Sequence, residues 1–355
     1  MDTPENSDGP VDPAAADAMA DQVAGAAGQL MEIALGHLLS AALRTAARCR
    51  IADHLAPGPR TAEELAELTG THAGHLRRVL RYLATRGVFR EDEAGAFHLT
   101  PLGDALRTDA PYSQHGAVVM LTDAAFRRTS AGLEEAVREE GASFERVFGQ
   151  PFFAYLAGDP ALRELFDAGM TSLSAPVDAV VAGTYPFPAK GTVVDVGGGR
   201  GGLLRAVLRG RPGLTGVLFD QTPAVSTHVL SGDEAVRGRW SAESGDFFTG
   251  VPKGGDLYVL KHVLHDWPDE ACLRILRNCR TAMAPDGRLL IVESVLPAGN
   301  DPHPGKAMDV AMAAIVDGQE RTEAEFAALL SRAGFELTRV LPTAAFPSVV
   351  EAVPA

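Results

Sequence analysis

The chain has 355 residues, 46% of them hydrophobic, a length that suits two domains rather than one small core. No apolar run approaches the roughly 18 residues of a membrane span, and a formal net charge of -14 argues against a nucleic-acid partner, whose binders need a basic face. Cys49, Cys272 and Cys279 form no CxxC pair, which excludes a disulfide framework, signals no zinc site and points to a reducing cytoplasm.

The chain opens with Asp2, Glu5, Asp8 and Asp12 among Pro and Ala. Lacking a basic n-region and an apolar h-region, residues 1–15 read as a disordered leader rather than a signal peptide. Over residues 18–55, Leu30, Ile33, Leu38, Leu39, Leu43 and Ile51 give apolar helical faces. Such faces must be buried, against their own domain or against a second copy. Thr61 and Glu64 form a capping box ahead of Leu65 and Leu68, and Gly70 closes that helix. A second helix from Ala73 carries Leu76, Val79, Leu80 and Leu83 and stops at Gly87. Residues 88–90 and 97–99 then read as a hairpin around Glu93, Ala94 and Gly95. Helix, turn, helix, hairpin is a winged-helix pattern. Arg77, Arg78, Arg81, Arg86 and Arg90 would suit a DNA-facing regulator. A solvated basic face on a module reused for dimerisation agrees better with the acidic whole.

Residues 110–185 are mostly helical, punctuated by Met120, Phe126, Phe148, Phe152, Phe153, Tyr155, Phe166 and Met170. These are either plain core or the wall of an apolar pocket for a small aromatic ligand. From Gly191 strands and helices alternate, which predicts a doubly wound parallel sheet with strands at 192–196, 215–219, 240–244, 256–260, 288–294, 336–341 and 348–353. The last two have no long helix between them and predict an antiparallel hairpin at one edge.

The β-branched run Val193, Val194 and Val196 reads as a buried strand, and the glycines at 197, 198, 199, 201 and 202 as a turn that a ligand can approach closely. Leu203, Leu204, Val207 and Leu208 follow with a helical period, so helix N–H groups face the turn. Gly197, Gly199 and Gly202 match G-x-G-x-x-G, and Asp220 ends the next strand, where an acid bonds the ribose hydroxyls of a nicotinamide cofactor. A dehydrogenase therefore stays open at this point, because any adenosine cofactor shares these features. Gly245, Asp246, Phe247 and Phe248 put an acid beside aromatic rings, suited to the amino group and face of adenine. Alone, the same stretch is equally an Asp turn among core aromatics.

Asp195-Val196-Gly197-Gly198-Gly199-Arg200-Gly201, Gly245-Asp246-Phe247-Phe248 and Lys261-His262-Val263-Leu264-His265-Asp266-Trp267, in that order, resemble the S-adenosylmethionine-dependent small-molecule O-methyltransferases. These are the plant caffeate-type group and its bacterial natural-product relatives, and the likeness covers nearly the whole chain. It implies an α/β fold: a doubly wound, Rossmann-like methyltransferase domain of seven strands, the last antiparallel, behind a mainly helical winged-helix dimerisation domain. The implied division is a leader at 1–15, a dimerisation domain at 16–110, a helical linker and pocket region at 111–190, and a catalytic domain at 191–355. A cytoplasmic homodimer is implied, with the acceptor pocket between the N-terminal half and the catalytic domain, and no nucleic-acid or membrane partner.

The resemblance also assigns residues. S-adenosylmethionine would be held by Ser174, Asp195, Gly197, Gly198, Gly199, Asp220, Gln221, Gly245, Asp246, Phe247 and Lys261, without a metal. His265 would be the general base, flanked and oriented by Glu293 and Glu320. A reference imidazole pKa of about 6.5 lets it be neutral and accept a phenolic proton of pKa about 10. Glu320 also has a plain structural explanation, since Thr322 and Glu325 form a capping box and an acid near a helix N-terminus is stabilising. The pocket would be lined by Phe153, Phe166, Met170, His262, Asp266, Trp267, Met308, Asp309 and Met312, the methionines adapting to flat aromatic acceptors. His262 and His265 are also spaced as a His-x-x-His metal pair, but no third ligand is spaced for it. Asp317 stands where the family pattern has glycine. The implied reaction is methyl transfer to a phenolic hydroxyl of a polyketide-like aromatic; transfer to nitrogen or carbon on the same fold is the alternative.

Overall fold

The structure is a computed structural model that describes residues 13–139 and 141–355. Of the leader, residues 1–12 lie outside the described residues, and a helix already runs from Pro13. The chain divides into two compact units, Met1–Arg107 and Thr108–Ala355.

In the first unit the helical stretch expected over residues 18–55 is three helices, Pro13–Ala34, Gly36–Arg48 and Ile51–Leu55. Arg50, in the left-handed region at φ 52°, separates the last two. The capping box is present: Thr61 Oγ1 accepts the Glu64 N–H at 3.3 Å, and the Glu64 carboxylate accepts the Thr61 N–H at 2.7 Å. It starts helix Ala62–Thr69, which Gly70 ends at φ 65°. Helix Ala73–Ala84 then buries Leu76, Leu80 and Leu83, and Phe89–Glu91 pairs antiparallel with Ala96–Leu99. Three of the arginines that could have faced DNA are paired inside this unit: Arg77 with Glu63 at 2.6 Å, Arg81 with Glu91 at 2.8 Å, and Arg86 with Glu32. Such exposed pairs add little stability, but they cancel the charge a DNA-facing surface needs.

Helix Pro13–Ala34 leaves Met19, Val23, Leu30, Met31 and Ile33 between 60% and 76% exposed. Among the described residues no single helix is long and apolar enough to cross a membrane; the bent pair Asp21–Ala34 with Gly36–Arg48 meets that test jointly by length and composition.

The second unit is built on seven strands: β1 Gly191–Val196, β2 Leu214–Asp220, β3 Trp240–Ser244, β4 Leu257–Lys261, β5 Arg288–Glu293, β6 Phe335–Leu341 and β7 Ser348–Pro354. Their order is β6-β7-β5-β4-β1-β2-β3, and only β7 runs antiparallel to its neighbours. β7 therefore lies inside the sheet and β6 forms the edge. The central strands bury runs of Val, Leu and Ile, as covered parallel strands require, with Asp195 on β1 and Glu293 on β5 as the buried acids among them. Val193, Val259 and Val292 face α1 (Pro160–Thr184) and α2 (Gly202–Gly210), meeting Val177, Val181 and Leu204. Val194, Val196 and Ile291 face α3 (Asp269–Ala282), meeting Ile275 and Leu276. Two further helices matter for the site, α4 (Pro304–Ile315) and α5 (Glu323–Arg332).

Between Thr108 and α1, short helices build a separate aromatic cluster from Phe126, Phe144, Phe152, Met120 and Leu156. Strand order reverses at β1, between β2 and β4, which puts a crevice at the carboxyl ends of these strands.

Candidate active site

A cavity of about 800 Å³ occupies that crevice, and every residue lining it lies between Tyr112 and Trp267. Its lining comes from the stretch expected as linker and pocket region, residues 112–183, and from residues 197–267 of the expected catalytic domain. The second unit encloses it by itself, with α1 on one side and the loops after β1 to β4 on the other.

At the end of β1, Gly197 and Gly199 adopt φ 68° and 57°. A Cβ at Gly197 would stand 2.7 Å from Val263 Cγ2, and one at Gly198 would stand 2.6 Å from the Asp195 carboxylate. The turn thus needs glycine both for its dihedrals and for its space. Asp195 is not on the wall; it is 2% exposed beneath the turn, and neither carboxylate oxygen has a hydrogen-bond partner. Burial pushes it up to about 7, against the pull of Lys261. Asp220, at the end of β2, is fixed by the Gly199 N–H at 2.8 Å and the Gln221 N–H at 2.6 Å, and burial raises it too. Asp246 accepts the Phe248 N–H at 2.8 Å, and a Cβ at Gly245 would stand 2.6 Å from the Phe219 ring. Asp220, Gln221, Gly245, Asp246 and Phe247 all line the cavity. Ser174 and Lys261 line it as well, and the Lys261 ammonium is bound to the Asp178 carboxylate on α1.

The other half of the cavity is aromatic. Phe153 stacks on Trp267 with ring centres 5.7 Å apart, and Phe166 and Met170 project from α1. The earlier alternatives for the aromatic segment thus both hold, on different residues: Met120, Phe126 and Phe152 are core, whereas Phe153, Phe166 and Met170 are wall. Met308, Asp309 and Met312 are not among the lining residues, because α4 packs on the helices Ala124–Ala131 and Ser143–Phe148. Asp309 instead accepts the Glu320 N–H at 2.8 Å, so it positions an acid rather than lining a pocket.

That acid reaches His265. Its Oε1 lies 2.8 Å from His265 Nδ1, while Asp266 Oδ1 stands 3.6 Å from Nε2. His265 is 7% exposed and is held beside two wall residues, Asp266 and His262, without lining the cavity itself. Burial opposes its charge, yet the carboxylates of Asp266, Glu320 and Glu293 outweigh burial and push it up to about 9. The expectation of an imidazole near its reference value is corrected: three carboxylates around one ring favour imidazolium. Asp266 is pushed up by its own burial to about 6.

Glu293 acts on the ring through its charge, while its hydrogen bonds go to backbone. Its Oε1 accepts three backbone N–H groups, Val263 at 3.2 Å, Leu264 at 2.6 Å and His265 at 3.2 Å. It therefore fixes the turn that carries His265, and burial pushes it up to about 7. The carbonyls of that turn go to Arg321, 1% exposed, whose guanidinium donates to Leu264 O at 3.2 Å, Trp267 O at 3.2 Å and Asp269 at 2.8 Å. Thr322 and Glu325 do form the capping box of α5.

His262 sits at φ 52°, stacked on Phe346 at 5.8 Å, and burial with the neighbouring His265 and Lys261 holds it well below the usual histidine range. Among the described residues no group of three or more His, Cys, Asp or Glu is placed to hold a metal ion. Asp317 has φ 58°, so aspartate here adopts the conformation glycine takes freely. Next to it, a Cβ on Gly318 would overlap the His265 carbonyl oxygen.

Asp178 and Arg321 were missed by sequence reasoning. Asp178 carried a signal, as a lone acid in the apolar stretch from Ala175 to Val181; Arg321 carried none beyond standing next to Glu320.

A glycine turn at a strand-order reversal, acids at the ends of the next two strands and a carboxylate-held histidine after the fourth together describe a methyltransferase-type α/β enzyme. Comparison with known proteins agrees. Residues 131–336 match the O-methyltransferase domain family and residues 31–109 the O-methyltransferase dimerisation domain. The chain belongs to the O-methyltransferase family. It is 41% identical to a phenazine O-methyltransferase of Lysobacter antibioticus, over 92% of this chain and 95% of that protein. A solved methyltransferase of calicheamicin biosynthesis, in its SAH-bound form, superposes with a TM-score of 0.87 at 46% identity, covering 93% of this chain and 98% of that one. The 8-amino-8-demethylriboflavin N,N-dimethyltransferase of Streptomyces davaonensis is 35% identical over 87% of this chain and 90% of that protein.

Proposed function

We propose that the protein moves a methyl group from S-adenosylmethionine to a phenolic hydroxyl of an aromatic natural product, with His265 as general base. The observation that carries this reading is His265, held through Nδ1 by Glu320 at 2.8 Å beside an aromatic-walled cavity. The residues fit the cofactor: a turn with no room for a Cβ at Gly197 or Gly198, an unpartnered buried carboxylate on Asp195, and acids at 220 and 246. When bound, S-adenosylmethionine supplies an electrophilic methyl group on a positive sulfonium.

The chain's own residues do the rest. Glu320 accepts a hydrogen bond from the Nδ1–H of neutral His265, which leaves Nε2 unprotonated to accept a proton from the acceptor hydroxyl. His265 is biased to its charged form by its carboxylates, and a positive charge in the adjoining cavity biases it back toward neutral. The stacked Phe153 and Trp267, with Met170, suit a flat acceptor whose oxygen must be positioned in line with the methyl group. The apolar surface exposed on Pro13–Ala34, together with the dimerisation-domain match at 31–109, supports a homodimer formed through the N-terminal unit.

Isotopically labelled S-adenosylmethionine, offered with paired phenols and arylamines of the same ring systems, is expected to yield labelled aryl ethers. Label on nitrogen alone would overturn transfer to oxygen. Gly318→Ala is expected to lower turnover about 100-fold, since displacing a positioned group by about 1 Å costs that much, while cofactor affinity in a titration stays unchanged. Wild-type turnover in this variant would contradict the placing of the His265 turn.

A further inference from the structure

Four aromatic rings on the cavity wall touch in series. Phe153, Phe247, Phe248 and Trp267 all line the cavity. Trp267 stacks on Phe153, with ring centres 5.7 Å apart and planes 21° apart. It meets Phe248 at 4.8 Å and Phe247 at 6.2 Å, with interplanar angles of 89° and 79°. These are the stacked and T-shaped arrangements in which ring quadrupoles attract, so each ring has a preferred position relative to the next.

Three of the rings are tied to α3. Asn278 donates to the Phe247 carbonyl at 2.8 Å, the Arg274 guanidinium lies 5.0 Å from the centre of the Phe248 ring, and Trp267 stands just before the first residue of the helix, Asp269. Phe153 comes from elsewhere, the short helix Phe152–Gly158, and is 38% exposed. Its neighbour Phe152 is buried in the aromatic cluster, which anchors the backbone while the Phe153 ring rests on Trp267. The two ends of the series face different ligands. Phe247 follows Asp246 after β3, where adenine is expected, and Phe153 belongs to the wall for a flat acceptor. Trp267 is the ring between them, and its carbonyl is held by Arg321 in the same turn as His265.

We propose that Trp267 couples the two seats: adenine lodged beside Phe247 fixes the Trp267 ring, Trp267 fixes Phe153, and the wall for the acceptor is complete only then. The coupling rests on the cofactor and acceptor readings above and adds an order of binding to them. It makes Trp267 and Phe153 positioning residues that answer to the adenine alone, without contact between the acceptor and the sulfur. By linkage, the acceptor tightens adenine binding by the same factor.

Calorimetric titration of the full chain with 2-naphthol, a flat phenol, tests this with and without saturating adenosine, which fills the adenine seat and ends short of the sulfur. Adenosine is expected to tighten 2-naphthol by roughly 3- to 10-fold, the worth of one aromatic pair, and S-adenosylhomocysteine by the same factor. In Phe153→Leu and in Trp267→Leu the factor should fall to about 1. Adenosine alone should bind Phe153→Leu within about twofold of wild type, which shows that this variant is folded. In Trp240→Phe, Trp267 is the sole tryptophan, and adenosine should change its emission. Tightening by S-adenosylhomocysteine but not by adenosine would mark direct contact between the ligands and overturn the proposal. So would a factor that survives both leucine variants, equal 2-naphthol affinity in all states, or Trp267 emission unmoved by saturating adenosine. A wild type that binds neither adenosine nor S-adenosylhomocysteine would overturn the cofactor reading, and one that binds them but never 2-naphthol the aromatic-acceptor reading, each taking the proposal with it.

Discussion

His265→Ala is expected to lower turnover by about two to four orders of magnitude, the usual contribution of a general base, with S-adenosylmethionine affinity nearly intact. The separation follows from placement: His265 is hydrogen-bonded to Glu320 and stands beside Asp266 and His262, whereas the adenosine-binding candidates lie at the ends of β2 and β3. Single-turnover kinetics with a competent acceptor measures it. Unchanged turnover would remove His265 from the chemistry. An equal loss in cofactor affinity would show that the substitution disturbs the whole crevice rather than one proton transfer.

Glu293→Ala is expected to be the most destabilising substitution in the site. One fully buried oxygen accepts the N–H groups of Val263, Leu264 and His265, and alanine leaves all three without an acceptor. Each orphaned group costs about 1–3 kcal/mol, so a loss of at least about 3 kcal/mol follows. For a unit of this size that lowers Tm by roughly 10 °C. Glu293→Gln keeps an acceptor oxygen and should retain much of the stability. A melting temperature within about 2 °C of wild type for the alanine variant would mean that the turn does not depend on Glu293.

The sheet was legible in the sequence because its central strands are buried on both faces. Val193, Val194 and Val196 need no alternation to be recognised, and all seven strands lie within two residues of their expected ends. The capping boxes at Thr61 and Thr322 were legible for a local reason, both partners being three residues apart. What failed was orientation across long separations. Glu293 lies 30 residues from the Val263 N–H it accepts, and nothing local distinguishes an acid that binds a ring from one that binds backbone. Helix α4 shows the same limit: Met308, Asp309 and Met312 share an amphipathic stretch, but only packing decides that this helix meets other helices and that Asp309 serves Glu320. The shift on His265 was equally hidden, since it depends on three carboxylates from three segments.

The central claim is that a histidine tuned by carboxylates accepts the acceptor's proton, and the pH dependence of kcat/KM tests it most directly, because that ratio reports ionisations of the free enzyme. Wild type should show a limb rising about tenfold per pH unit toward the deprotonation of His265, at about 9. Glu320→Gln removes a carboxylate that raises His265, so its limb should move to lower pH and level off at a lower rate; in His265→Ala the limb should vanish. A limb that stays in place when Glu320 is neutralised, or that persists without the imidazole, would contradict the account.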